Sequence, residues 1–577
     1  MTAGLLSTGV AATVLTAAAD RPGAALTAPG TAGVSYPELA TAVREIAAGL
    51  RRLGVEPGDC VAILAGTRPE WTLCDLGILW AGATVVPIYH TSSPEECAYI
   101  LRHAAVRAIF CEDEAQLAKL DRAALPGLAD VILITGAAPG AISLAELRAG
   151  GELAEPAESR PQDVATIIYT SGTTGPPKGC VVTHASLLAT VAMYERELEL
   201  GDGPLIVYLF LPLAHSLARV AQLAVLDSGG TLAFWGGDPK RIVDELAEIR
   251  PTHFPSVPRI YEKIHTAVLS EAAAQSVVKR GVFRWALREG ARFSAAASPG
   301  RLRKLRHGAA DRLVLSRIRS LFGDRLVFAM CGAAPIGAEI LEFFDACGVL
   351  ILEGYGLTES CAAAAVNTPH RVRFGSVGRP LPGTEVAIAE DGEILIAGPQ
   401  VFSGYHRDPG ATGDALDGNW LRSGDLGELD ADGYLHITGR KKDLIITSSG
   451  KNISPENLES ALRETRWISQ AVVAGERRPY LVALVTLDPD EAPLLAAELG
   501  VAPDVAAMAQ DPRVHAAVAA DVEAVNARFA RIEQIKRFAL LERDFSLEAG
   551  ELTPTLKIKR NVVLEHFGDR IEALYAG

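Results

Sequence analysis

The sequence lacks the features that mark secreted, membrane-spanning or zinc-binding proteins. Its eight cysteines are scattered, none forms a CxxC pair, and none lies beyond Cys361. This spacing favours a reduced protein without a disulfide framework or a zinc site. No run of about 18 apolar residues occurs, and no lysine or arginine precedes Arg21, so we expect neither a membrane span nor a signal peptide. We expect a surface helix that ends at Arg21-Pro22-Gly23, and a cytoplasmic location.

Positive charge is also scarce, apart from one segment. The net charge of −15 argues against general binding of nucleic acid, which needs a basic surface. Residues 279–325, however, carry thirteen lysines and arginines against three acids. Two interpretations remain open for this segment. It is either a solvated helical insertion or a peripheral contact with the inner face of an anionic membrane.

The 577 residues are too many for one hydrophobic core, and two segments share one β–α–β pattern. In the first, apolar runs at 59–66 and 83–89 flank a helical pattern. In the second, apolar runs at 204–213 and 231–235 flank another. Such units build parallel sheets covered by helices. The fold class is therefore α/β, with two stacked α/β subdomains in a large N-terminal domain.

The pattern changes near residue 375, where apolar and polar residues begin to alternate. Asp432-Gly433 lies between two alternating runs, as in a hairpin turn. This alternating pattern predicts a small β-barrel-like subdomain. The last 137 residues look like a compact α+β unit of ordinary domain size. We therefore expect an N-terminal domain over residues 1–440 and a mobile C-terminal domain over residues 441–577.

The stretch YTSGTTGPPKGC at 169–180 has the composition of a phosphate-binding loop. It follows the buried-strand run VATIIYT, but it lacks the common GxxxxGK[ST] spacing. Glycines let backbone N–H groups form an anion nest, and hydroxyls add donors. A flexible polar linker is the alternative. The residues expected to hold phosphate are Ser171, Gly172, Thr173, Thr174 and Gly175, with Lys178 on the same loop as a positive clamp.

Further motifs follow in order, and together they resemble the adenylate-forming superfamily of acyl-CoA synthetases, luciferases and peptide synthetase adenylation domains. They are LPLAH (211–215), CGAAPI (331–336), EGYGLTES (353–360), SGDLGELDADGYLHITGRKKD (423–443) and TPTLKIKR (553–560). The form TPTLK is similar to the long-chain fatty acyl-CoA synthetase version. In the usual superfamily string a glycine precedes the lysine, whereas this chain has Leu556.

The resemblance implies a nucleotide site. Tyr355 would stack on adenine, with Gly332, Ala333 and Gly356 in the same pocket. Thr358 would contact the α-phosphate, and Glu359 would bind Mg²⁺, for which a hard carboxylate is suited. The position of Asp425 matches the ligand of the ribose hydroxyls, and Arg440 matches the arginine on the ribose and phosphate side.

The resemblance also implies a catalytic lysine, an acyl pocket and a hinge. Lys557 would bridge the carboxylate and the α-phosphate, because a mobile ammonium stabilises negative charge at phosphorus. His215 would lie beside the acyl pocket. Lys442 would be the hinge about which the C-terminal domain rotates.

The implied activity uses ATP, Mg²⁺ and CoA to convert a long-chain fatty acid to acyl-AMP and then to acyl-CoA. One alternative is a fatty acyl-AMP ligase that passes the acyl group to a carrier protein. Another is an inactive lipid-binding or scaffold member. The sequence leaves the oligomeric state and the chain-length preference open.

Overall fold

The computed structural model describes residues 9–18, 21, 23–151, 153–170, 176–201, 203–296, 298–553 and 556–576. A seven-stranded sheet, parallel except for its last strand pair, forms the first layer. Its strands, in spatial order, are Ile142–Ser143, Asp130–Leu133, Ala108–Cys111, Cys60–Leu64, Thr84–Ile88, Val164–Thr170 and Lys178–Thr183. The first predicted β–α–β unit is confirmed, since the helix Pro69–Trp80 joins two parallel neighbours at the centre.

A nine-stranded sheet contains the second predicted unit. Its strands, in spatial order, are Arg379–Pro380, Ala365–Val366, Ile351–Tyr355, Phe328–Cys331, His253–Ser256, Ile206–Leu209, Thr231–Phe234, Ala24–Thr27 and Val34–Ser35. The helix Ser216–Asp227 connects the parallel strands Ile206–Leu209 and Thr231–Phe234. The second β–α–β prediction is therefore also confirmed.

A buried ion pair joins the helices of the two units. Arg219 donates to Asp75 through Nη2 at 2.5 Å and through Nε at 3.2 Å, and Gln222 donates to the same carboxylate at 2.9 Å. Both charged side chains are almost completely buried. Burial raises the pKa of Asp75, whereas Arg219 lowers it. Loss of either partner alone would leave a buried charge, which costs about 3–5 kcal/mol.

The part predicted to resemble a barrel is an antiparallel sheet. Its strands are Glu385–Ile388, Glu393–Ala397, Leu416–Asp417, Trp420–Leu429 and Leu435–Arg440. Over the described residues no pairing closes this sheet into a barrel, so it is open. The hairpin at Asp432-Gly433 is present, and Gly433 adopts a positive φ of 80° that suits glycine.

The residues from Ile445 onward bury two apolar clusters of their own. Their strands are Ile445–Ile446, Asn452–Ile453, Ile468–Ala474, Leu481–Leu487 and Ile535–Leu541. Their helices are Pro455–Arg463, Ala492–Leu499, Val505–Met508, Pro512–Asn526, Arg560–His566 and Gly568–Ala576. This part is α+β, as expected, and the larger N-terminal part precedes it.

The other α-helices lie before the C-terminal part. They are Val10–Ala18, Tyr36–Arg52, Pro94–His103, Glu114–Leu117, Leu144–Arg148, His184–Glu197, Ile242–Ile249, Pro258–Ala273, Val277–Ser294, Arg301–Ala310, Ser316–Ser320, Ala338–Ala346 and Pro409–Ala415. The expected surface helix near the N-terminus is packed instead, because Val10, Ala11 and Val14 are buried. Among the described residues, no helix has the length and apolar character to cross a membrane.

Candidate functional site

The predicted adenine-pocket residues lie at one edge of the nine-stranded sheet. The parallel strands Phe328–Cys331 and Ile351–Tyr355 end side by side, with Cys331 opposite Glu353, so Gly332 and Tyr355 are brought to the same edge. Ligands of open α/β sheets bind at this carboxyl edge. A Cβ on Gly356 would lie 2.4 Å from the backbone carbon of Ala362. No larger residue fits there without moving the chain.

Tyr355, Asp425 and Arg440 form a connected group at this edge. The Tyr355 hydroxyl donates to Asp425 Oδ2 at 2.7 Å. Asp425 and Arg440 are cross-strand partners, and Arg440 Nε lies 3.4 Å from Asp425 Oδ1. Burial raises the pKa of Asp425, while the charge of Arg440 and the Tyr355 hydroxyl lower it. The predicted hairpin therefore delivers a carboxylate and a guanidinium beside the aromatic ring.

Lys557 reaches the same group from the far end of the chain. Its ammonium acts electrostatically on Asp425 and on His215. Although the side chain as a whole is exposed, desolvation of the ammonium lowers the pKa of Lys557. The charge of Arg440 lowers it further, whereas Glu456 and Asp425 raise it. The structure thus brings this predicted catalytic residue to the predicted nucleotide pocket.

His215 caps the helix Ser216–Asp227, and its Nδ1 accepts from the backbone N–H of Leu217 at 3.3 Å. Burial lowers the pKa of His215 to about 4, and the charge of Lys557 adds to the effect. The imidazole is therefore neutral at pH 7, with one nitrogen engaged by the helix.

The Lys557 side chain projects from a short closed turn. Leu552 and Ile558 form a β-bridge, and Thr553 N–H donates to the Lys557 carbonyl at 2.7 Å. Thr553 Oγ1 accepts from Lys557 N–H at 3.0 Å. Leu556 has a φ of 61°, in the left-handed region that favours glycine. This geometry explains the glycine of the usual superfamily string and makes Leu556 a strained substitute.

A buried ion pair fixes the chain just after this turn. Arg560 Nη2 donates to both carboxylate oxygens of Glu459, at 2.6 and 2.7 Å, and Nη1 donates to the Val473 carbonyl at 2.8 Å. Bidentate pairs of this kind restrict orientation as well as distance. Glu459 and Arg560 were not among the predicted site residues. Because Arg560 is held by Glu459 and Val473, this pair anchors the segment that carries Lys557.

Glu359 lies in the 3-10 turn Thr358–Ser360, and its charge acts on Asp425 and Arg440. Its Oε1 accepts from the Tyr405 hydroxyl at 2.8 Å. The ring centre of Tyr405 is 5.1 Å from Lys178 Nζ. Tyr405 therefore connects two predicted phosphate-side residues. It was missed because the string SGYHRD carries no periodic or motif signal.

Lys178 differs from its prediction in one respect. It was expected on a loop, but it is the first residue of the strand Lys178–Thr183, opposite Thr170. The antiparallel pairing with the strand Val164–Thr170 therefore already includes Lys178. Ser171, Gly172, Thr173, Thr174 and Gly175 lie outside the described residues, so their predicted roles stay predictions.

Lys442 lies in the 3-10 turn Lys441–Asp443, directly after the strand Leu435–Arg440. Lys441 Nζ donates to Glu393 in the N-terminal part at 3.1 Å. Ile445 already belongs to a C-terminal apolar cluster. Lys442 therefore lies between a residue bonded to the N-terminal part and a residue packed in the C-terminal part.

Polar contacts connect the helix Pro258–Ala273 to the C-terminal part. Arg259 Nη2 donates to Asp488 at 2.8 Å and to Ser469 at 3.0 Å. Lys263 Nζ donates to Asp490 at 2.7 Å. These contacts occur in the arrangement that places Lys557 beside Asp425.

A magnesium site is consistent with the donors present. Glu359 accepts from Tyr405 and interacts with the Cys180 thiol, and a carboxylate has about four acceptor sites, so it can also bind a cation. Mg²⁺ is commonly held by one or two carboxylates together with substrate phosphates. Within the described ranges, no group of three or more His, Cys, Asp or Glu residues is arranged to hold a metal.

Comparison with known proteins identifies the family. A family profile described as AMP-binding enzyme matches residues 15–406, and one described as AMP-binding enzyme C-terminal domain matches residues 442–577. The chain is 39% identical over 561 residues to the long-chain-fatty-acid–CoA ligase FadD15 of Mycobacterium bovis, covering 94% of this chain and 92% of that protein. It is 33% identical to the peroxisomal long chain acyl-CoA synthetase 7 of Arabidopsis thaliana, covering 94% and 81%.

Solved structures share the fold. The anthranilate CoA ligase AuaEII in complex with anthranoyl-AMP aligns with a TM-score of 0.75 at 20% identity, covering 97% of both chains. The adenylation domain of a carboxylate reductase from Mycobacterium chelonae aligns with a TM-score of 0.75 at 23% identity, covering 100% of this chain and 94% of that one. The chain therefore belongs to the AMP-binding enzyme family, of which the long-chain-fatty-acid–CoA ligase above is a member.

Proposed function

We propose that this protein joins a long-chain fatty acid to CoA with ATP as the energy source, in two steps. The fatty acid carboxylate is first converted to acyl-AMP with release of pyrophosphate. The CoA thiol then displaces AMP and forms the thioester. The observation that carries the proposal is the meeting of Tyr355, Asp425 and Arg440 with Lys557, 117 positions after Arg440 in the chain. The high similarity to long-chain-fatty-acid–CoA ligases indicates the acid.

The nucleotide is held by the group at the sheet edge. The Tyr355 ring stacks on adenine, beside Gly332, Ala333 and Gly356. The Asp425 carboxylate accepts from the ribose hydroxyls, since it has about four acceptor sites and Tyr355 and Arg440 each engage only one of its oxygens. Arg440 approaches from the neighbouring strand and contacts the ribose and phosphate side.

The first step places the developing charge at the α-phosphorus. A carboxylate oxygen attacks this phosphorus, and the bond to the pyrophosphate oxygen breaks. Lys557 neutralises the charge shared by the two reactants, and Thr358 donates to the α-phosphate. Lys178 and the loop 171–175 hold the departing pyrophosphate. The protein contributes position and charge, because the nucleophile belongs to the substrate.

Mg²⁺ would be held by Glu359. When bound, it would screen the phosphate charges and polarise the phosphoryl oxygens. Tyr405 orients the Glu359 carboxylate by its hydrogen bond.

The second step requires the domain of residues 441–577 to rotate about Lys442 away from the domain of residues 1–440. Lys557 leaves the pocket with it, and the thiol gains access to the acyl carbonyl beside His215. The sulfur–carbon bond forms as AMP leaves with the former carboxyl oxygen. Motions of this kind limit turnover in many enzymes. We place the reaction in the cytoplasm or at the inner face of a membrane, because a long-chain fatty acid partitions into bilayers.

Pyrophosphate exchange and product analysis test the proposal together. Exchange of labelled pyrophosphate into ATP is measured with acids from acetate to long-chain fatty acids, and acyl-CoA is then measured with CoA present. We expect exchange with long-chain acids and acyl-CoA formation. Exchange without acyl-CoA would instead support a fatty acyl-AMP ligase. No exchange with any acid would support an inactive lipid-binding member.

A further inference from the structure

The basic segment, residues 279–325, contains most of a helical hairpin. In the chain, this hairpin lies between the strands His253–Ser256 and Phe328–Cys331 of the nine-stranded sheet. Its arms are the helix Val277–Ser294 and the helix Arg301–Ala310, which continues through a π-helical turn at Asp311–Leu315. Ala286, Ala310 and Leu315 are buried where the arms pack on the protein. The second arm packs against the first, since His307 stacks on Phe293 and Arg306 Nη2 donates to Glu289 at 2.7 Å.

The start of the second arm, at the tip of the hairpin, is highly exposed. Every residue from Arg301 to Arg306 is exposed, whereas a surface helix of a globular protein normally buries one face. Two of the six are leucines, Leu302 and Leu305, with 71% and 72% of their surface exposed. At 3.6 residues per turn, Leu302, Leu305 and the exposed Ala309 lie on one face. An apolar stripe thus faces solvent.

The positive charge around this stripe is not neutralised within the protein. The three acids of residues 279–325 are all engaged: Glu289 with Arg292 and Arg306, Asp311 with Arg319, and Asp324 with Arg250. Arg301, Arg303 and Lys304 have no carboxylate within salt-bridge distance in the described part of the chain. The tip therefore carries uncompensated cations beside exposed leucines.

We propose that this hairpin tip, residues 301–309, docks on a bilayer that contains anionic lipids. The leucine stripe enters the boundary between headgroups and acyl chains, and the three unpaired cations contact the lipid phosphates. Amphipathic elements that lie on membranes have this combination of apolar stripe and flanking cations. Each cation near an anionic surface strengthens binding roughly fivefold. The inference is independent of the proposed activity, because it concerns attachment and not chemistry.

The two features together favour a bilayer over the other candidate partners. A nucleic acid would use the cations but would leave the leucines in water. A net charge of −15 for the chain also opposes long-range attraction of a polyanion to most of its surface. A second copy of the chain offers acidic surface, so self-association is the outcome that the test must separate.

Vesicle sedimentation of the full chain tests the proposal. Binding is compared for vesicles of phosphatidylcholine alone and for vesicles of phosphatidylcholine with equimolar phosphatidylglycerol. We expect binding to the anionic vesicles that weakens as salt is added, and at least ~10-fold weaker binding to the neutral ones. Two variants, Leu302→Ser/Leu305→Ser and Arg301→Gln/Arg303→Gln/Lys304→Gln, should each lose at least ~10-fold in affinity for the anionic vesicles. Both alter only exposed positions.

Matched controls change the same chemistry elsewhere. Leu429→Ser/Ile532→Ser removes two other exposed apolar side chains, and Arg102→Gln/Arg531→Gln/Lys536→Gln removes three other exposed cations. Both should bind anionic vesicles within about twofold of the unaltered protein, on the basis that they lie outside the tip. Equal binding to both vesicle types, or unchanged binding of the tip variants, would overturn the proposal. So would sedimentation velocity showing a dimer that the tip variants dissociate, since the tip would then be a self-association face.

Discussion

The Tyr405 hydroxyl donates to Glu359 Oε1 at 2.8 Å, and the ring of the same residue lies 5.1 Å from the Lys178 ammonium. One side chain thus orients the carboxylate proposed for Mg²⁺ and faces the cation proposed for pyrophosphate. Tyr405 makes both contacts without touching the reacting atoms. Tyr405 is accordingly a positioning residue.

Removal of the Tyr405 hydroxyl should weaken the use of MgATP. A hydrogen bond to a charged group contributes about 1.5–3 kcal/mol, so Tyr405→Phe should lower kcat/KM for MgATP ~10- to 100-fold in pyrophosphate exchange. The matched control is Tyr434→Phe, because the Tyr434 ring lies between Arg373 and Arg379 in the antiparallel sheet. That variant should retain normal exchange. Full activity of Tyr405→Phe would contradict the assigned contact.

Lys557 should matter for only one of the two half-reactions. Lys557→Ala should lower kcat for acyl-AMP formation by ~10²–10³, the cost of losing one preorganised electrostatic donor. Transfer from supplied acyl-AMP to CoA should be nearly unchanged, since Lys557 leaves the pocket before that step. Lys559→Ala, two residues away, is the control. Equal damage to both half-reactions would refute the role of Lys557.

The Arg560–Glu459 pair should affect the same half-reaction through the position of Lys557. Arg560→Lys keeps the charge but loses the planar guanidinium, whose Nη2 donates to Glu459 while Nη1 donates to the Val473 carbonyl. We expect adenylation to fall ~10- to 100-fold with transfer from acyl-AMP largely spared, as for a misplaced catalytic group. Glu459→Gln should give the same split. A purely structural role would instead lower both half-reactions together, or would appear only as a loss of thermal stability.

The contacts between the two parts of the chain should set the ratio of the two half-reactions. Lys263→Asp and Asp490→Lys each place like charges at a 2.7 Å contact and should slow adenylation relative to transfer. The double variant restores an opposite-charge pair and should regain most of the adenylation rate. The coupling energy of this cycle should be below ~1 kcal/mol, since both side chains are partly exposed. Additive damage in the double variant would show that the pair does not act as a unit.

His184 should make the protein less stable in acid. Its Nδ1 accepts from the backbone N–H of Val10 at 3.2 Å, and burial, which is the main cause, lowers its pKa to about 4. The unfolded chain therefore binds this proton first, so stability is present above about pH 6.5 and is lost as pH falls toward 4. Urea unfolding should show a loss on the order of 2 kcal/mol from this group by about pH 5. His184→Gln should flatten the slope, and His370→Gln, at an exposed site, should not.

The two β–α–β units and the Asp432-Gly433 hairpin could be predicted because their signals are local. The hairpin turn alone would pair Asp425 with Gly439, because register follows from the turn. A register shift between Leu426 and Gly427 pairs Asp425 with Arg440 instead, and the sequence did not predict this shift. Tyr405 and the Arg560–Glu459 pair could not be predicted in this way. Their partners lie 46 and 101 positions away, and only tertiary packing brings them together. The approach of Lys557 to Asp425 depends on how the two parts of the chain are arranged. Sequence periodicity does not predict that arrangement.

Ion pairs at solvent-accessible positions are prominent among the contacts that join the C-terminal part to the helix Pro258–Ala273. Such contacts are individually weak, and water replaces them easily. Substitutions at the protein surface should therefore shift the equilibrium between the two proposed domain arrangements. Substitutions at the exposed residues Lys263 and Asp490 should change how long acyl-AMP persists before the CoA thiol attacks it, without altering a residue that touches the substrates.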